Sequence, residues 1–107
     1  MGSVRQRPER LAEKLRQIRL ALGLSQSEMV RRLGVEDQLD GARISGFETG
    51  LREPTLLILL QYARLANVYM EALVDDELDL PEKLPGPTDH EAIRRTFTPA
   101  ARRKAKR

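Results

Sequence analysis

The chain has no cysteine, a single histidine and only four Phe and Tyr residues. Without cysteine there is no disulfide staple, no thiolate metal site and no cysteine nucleophile. The one histidine, His90, lies in the stretch LPGPTDHEA. A zinc site or a His-based acid/base pair needs partners that are absent, so His90 reads as a solvated tail residue. Long apolar runs are missing too. LLILL is far shorter than the roughly 20 residues of a membrane span. The basic N-terminus leads into a charged amphipathic segment, not the apolar core of a signal peptide. The expectation is a soluble, cytoplasmic protein with no membrane partner. Catalysis is disfavoured as well. No carboxylate pair has an acid/base setting, no Gly-rich loop precedes a helix, and no nucleophile has a His partner. Neither an enzyme nor a cofactor is expected.

What is present is helix and unevenly placed charge. At 107 residues the chain makes one domain with one modest core. Residues 1–35 hold eight Arg/Lys against three acids, residues 36–80 three against ten, and residues 81–107 eight against three. Both ends suit phosphates, while the middle repels them unless its acids point elsewhere.

Leu11, Leu15, Ile18 and Leu22 form one helical stripe that Gly23 ends. Ser25 opens a second helix, with Glu28 three residues on as a capping box. Met29, Val30 and Leu33 give this helix a buried face, and Gly34 closes it. Ile44 and Phe47 anchor a third helix that stops at Gly50. Pro54 suits the first turn of a fourth, whose LLILLQYARLA is apolar nearly all round, as in a central buried helix. A fifth is expected from about Tyr69 to Leu78, with Met70, Leu73 and Val74 inward. PEKLPGP then ends regular packing. The expected organisation is an arm (1–8), an all-α, compact five-helix bundle (9–80) and a flexible Pro/Gly-containing linker with a basic tail (81–107).

LRQIRLALGLSQSEMVRRLGV, followed by RISGFETGLREPTLLILLQYARLANVYMEAL, resembles the Cro and phage-repressor type (XRE) helix-turn-helix family. The likeness covers residues 11 to about 74. It implies a lambda-repressor-like fold, sequence-specific binding of double-stranded DNA as a two-fold homodimer, and transcriptional regulation. By the same resemblance Gln26, at the start of the second helix, holds the phosphate backbone. Ser25 and Ser27 add hydroxyls beside it, and the helix terminus favours an anion. An acid at Glu48 pairs with Arg19 and fixes the third helix against the first.

With Ile44 and Phe47 inward, Ala42, Arg43, Ser45, Gly46 and Thr49 face out. Arg43 has the planar fork that matches guanine, and Ser45 suits a base or a phosphate. Thr49, the Gly50 backbone and Arg52 form a loop placed for an adjacent phosphate. Where family members carry a long polar side chain this chain has Gly46. Two readings fit: close backbone approach to DNA, or a weaker helix.

Val35 to Arg43 is longer than the usual turn of three or four residues and contains Glu36, Asp37 and Asp40. Either the third helix begins near Gln38, making Gln38 an adenine reader, or the insert is a loop at the groove mouth. The acids and the tail keep two other functions open. One is a protein-interaction module, binding a partner through the tail or the acidic middle. The other is an antitoxin whose tail blocks a toxin.

Overall fold

In the computed structural model, residues 6–86 are described. They form five helices: α1 (Leu11–Ala21), α2 (Gln26–Leu33), α3 (Gly41–Thr49), α4 (Leu56–Ala66) and α5 (Met70–Val74). No strand occurs among the described residues. The first stripe behaves as expected, with Leu11, Leu15 and Ile18 buried. They meet Met29, Val30, Leu33, Ile44, Phe47, Leu59 and Tyr62 in one core. α1 packs on α3, and α2 packs on both α3 and α4.

Local chemistry sets the helix ends. The Ser25 amide donates to Glu28 Oε1 at 2.7 Å, and the Glu28 amide donates to Ser25 Oγ at 3.0 Å, completing the capping box. This fixes the start of α2. Gly34, at φ 73°, closes it in the left-handed region that other residues rarely adopt.

Three expectations are corrected. α5 stops at Val74, because Asp75 turns to extended backbone, and Val74 is 39% exposed instead of buried. α4 is not apolar-packed all round: Leu56 and Leu57 stand 74% and 72% exposed at its first turn. Packing also continues past Leu80. The Gly86 amide donates to the Ala66 carbonyl at 2.6 Å, and Asn67 Nδ2 donates to the Gly86 carbonyl at 2.7 Å. Residues 81–86 thus return to the end of α4. Residues 1–5 of the arm, His90 and the basic segment 87–107 lie outside the described residues.

Two features have no counterpart in the hydrophobic pattern. Lys14 is fully buried, and its amine donates to the Ala72 and Asp75 carbonyls at 2.8 and 2.9 Å. Burial pulls its pKa below the ordinary lysine value. Asp76 accepts the Glu9 and Arg10 amides at 2.9 and 3.0 Å, capping α1 from the far end of the domain. Arg10 returns the contact, donating to the Asp76 carbonyl and to Asp79.

Candidate nucleic-acid interface

The start of α3 decides how the long turn is built. The Gln38 and Leu39 amides both donate to the Val35 carbonyl at 2.9 Å, folding residues 36–38 into a separate turn. Val35 is buried and Leu39 packs against the core, so the insert is pinned at both ends. Asp40 then caps α3, accepting the Arg43 amide at 3.2 Å. The insert is therefore a loop. Gln38 sits exposed in that turn and not on α3, so the helical placement that made it an adenine reader does not occur.

Gly41 brings the two helices of the motif together. A Cβ there would stand 3.4 Å from Ser27 Oγ and 3.6 Å from Gln26 Cβ. The first turn of α2, with Gln26 and Ser27, thus abuts the first turn of α3, with exposed Ala42 and Arg43. Ser45 is half-buried farther along α3, and Thr49 is exposed at its end. The Thr49 hydroxyl donates back to the Ser45 and Gly46 carbonyls, leaving only its lone pairs for a ligand. Gly46 departs from the expectation of an open surface. It is buried, because the Arg52 side chain lies across it.

Arg19 and Glu48 hold α3 in this orientation. Nε and Nη2 of Arg19 donate to the two carboxylate oxygens at 2.7 and 3.0 Å, while Nη1 donates to the Leu24 carbonyl at 2.9 Å. Both side chains are largely enclosed, and the bonded carboxylate holds the Arg19 pKa above its ordinary value. Tyr62 lies close enough to feel both charges, and burial pushes its phenol pKa up. Glu28 is held below the usual carboxylate range by the Ser25 amide it accepts.

Four acids of the middle segment are engaged within the domain. Glu48 is on Arg19, Asp76 caps α1, Asp79 is on Arg10, and Glu53 lies 4.0 Å from Arg7. Arg7 also donates to the Gly50 carbonyl at 3.2 Å, which ties the arm to the loop after α3. Glu36 and Asp37 remain exposed beside Arg43, where they line one shallow depression with it.

A helix-turn-helix family profile matches residues 15–73, more than half of the chain. The chain belongs to the Cro/C1-type helix-turn-helix family. No curated protein and no solved structure matches it. This helix-turn-helix is of the DNA-binding, transcription-regulating type, which is not an enzyme family. α2 and α3 are its two motif helices, and the matched span ends at Leu73 of α5. No helix among the described residues is long and apolar enough to cross a membrane.

Three roles at this surface were not read from the sequence. Gly41 carries the helix contact, Asp40 the α3 cap and Arg7 the tether to Gly50. The Asp-Gly pair ahead of the Ile44–Phe47 spacing is the signal that marks the first two. Arg7 gives no such signal, because its partner lies 43 residues away.

Proposed function

We propose that the protein is a repressor-like transcription regulator that reads double-stranded DNA with α3 and acts in the cytoplasm as a two-fold homodimer. One observation carries this reading: the first turn of α2 abuts the first turn of α3 beside Ala42 and Arg43, and the enclosed Arg19–Glu48 pair holds the arrangement. In it, Gln26, Ser27 and the α2 N-terminus hold a phosphate, which sets the depth of α3 in the major groove. Arg43 and Ser45 are then the side chains offered to base edges, with Ala42 suited to a thymine methyl and Thr49 to an acceptor role. Tyr69, Val74 and Leu78, exposed around α5, supply the apolar surface for a second copy. The cations Arg102, Arg103, Lys104, Lys106 and Arg107 act as an arm along the phosphates.

Selection of bound duplexes from random DNA tests the reading. A two-fold symmetric motif is expected, with half-sites about one helical turn apart. Binding must fall with salt and weaken in Arg43→Ala, and truncation after residue 86 must flatten the salt dependence. Glu36 and Asp37 beside Arg43 favour one second reading, a protein-interaction module or antitoxin built on the same fold. Absent or salt-insensitive DNA binding, with a defined protein partner recovered, would select that reading instead.

A further inference from the structure

Gly46 and Arg52 are packed as one unit. A Cβ on Gly46 would stand 3.2 Å from Arg52 Cδ, 3.3 Å from Cγ and 3.6 Å from Cβ. The Arg52 stem therefore fills the space of the missing side chain. Its starting point is fixed, since the Arg52 amide donates to the Gly46 carbonyl at 3.1 Å. Position 46 lies about 200° around the helix axis from Ile44, at the centre of the outward face between Ala42 and Thr49. Neither Ala42 nor Gly46 has a side chain long enough to reach a base edge.

We propose that Arg52 is a base-reading residue of this interface, its guanidinium standing where the end of a long polar side chain at position 46 would be. The inference rests on the DNA-binding reading above and changes what Arg52 does within it. Chain order alone puts Arg52 in the loop after α3, facing a phosphate. Its stem instead lies against Gly46, on the outward side of α3. No carboxylate pairs with Arg52 among the described residues, whereas Arg7, bordering the same cleft, is bound to the Gly50 carbonyl and lies near Glu53. Packing on Gly46 narrows the rotamers open to the stem before binding, which lowers the entropy lost on contact. A planar fork held this way matches the O6 and N7 acceptors of guanine.

The test uses the full chain. Duplexes selected by the wild type are remeasured, with every single base-pair change, for wild type, Arg52→Ala, Arg52→Lys and Gly46→Ala. The wild type should lose about tenfold or more when one G·C pair per half-site is changed. Arg52→Ala should tolerate every base pair at that position while keeping the other preferences, and Arg52→Lys should not restore the preference. Gly46→Ala should show the same positional loss with no fall in melting temperature, because its Cβ displaces only a flexible stem. Uniform weakening of all duplexes by Arg52→Ala, with a shallower salt slope, would mark a phosphate contact and overturn the proposal alone. Unchanged discrimination in Gly46→Ala would overturn it as well. A wild type that binds no duplex would overturn the regulator reading itself.

Discussion

Arg19 and Glu48 meet in a two-point contact, Nε to Oε2 at 2.7 Å and Nη2 to Oε1 at 3.0 Å, within the seam between α1 and α3. A forked pair of this kind fixes an angle as well as a distance, since both oxygens must lie in the guanidinium plane. Its worth is in setting the pitch of α3 more than in net stability. Arg19→Met alone strands a buried carboxylate and should cost about 3–5 kcal/mol by chemical denaturation. The double variant Arg19→Met/Glu48→Leu should recover a large part of that while still binding DNA poorly. A double-mutant cycle on stability and affinity separates the two effects.

Lys14 should be needed for α5. Its amine satisfies the Ala72 and Asp75 carbonyls, which the end of a five-residue helix cannot satisfy itself. Lys14→Met keeps the stem and removes both bonds. A loss of about 2 kcal/mol is expected, with faster amide exchange in residues 70–75 as the specific sign.

Acid should weaken the domain at two caps. The Glu9 and Arg10 amides lower the pKa of Asp76, and the Ser25 amide lowers that of Glu28. A carboxylate with a depressed folded value contributes fully above its unfolded value. That contribution fades as pH falls through the folded one. Asp76→Ala and Glu28→Ala should therefore melt below the wild type at pH 7. The gap should begin to narrow below about pH 4 and close only once pH has fallen through the depressed folded values, where the wild type also loses these charges. Melting curves across that range check the sign.

Two substitutions should leave the fold as firm or firmer. The Tyr62 hydroxyl is buried and finds no hydrogen-bond partner among the described residues. Tyr62→Phe should thus be neutral or stabilising by about 1 kcal/mol. Gly46→Ala should gain up to about 1 kcal/mol from helix propensity, offset in part by moving the Arg52 stem. Urea midpoints at constant slope measure both.

The order of five helices was legible because Leu15, Ile18, Met29, Leu33, Ile44 and Phe47 repeat at helical spacing and Gly23, Gly34 and Gly50 punctuate them. The Ser25–Glu28 cap was legible for the same local reason. Lys14, Asp76 and Arg10 were not. Their partners lie 58 to 69 residues away, and a charge on a stripe carries no sign of a carbonyl waiting across the fold. At the candidate interface the residue types could be read but not their company. Gly46 is an omission in α3 by sequence, but Arg52 lies over it, and the stretched turn left an early helix and a loop both open until the Asp40 cap decided for the loop.

The Asp76 cap has a further consequence, for synthesis. α1 is made before the other helices of the domain, yet the amides that lead into it find their acceptor only when residue 76 arrives. The first helix of the domain therefore waits for a partner beyond its fifth. Until then its apolar stripe and frayed start are exposed together, a condition that favours aggregation of shortened chains. Any fragment ending before Asp76 inherits this state permanently, and the segment after α5 thus helps to fix the start of α1.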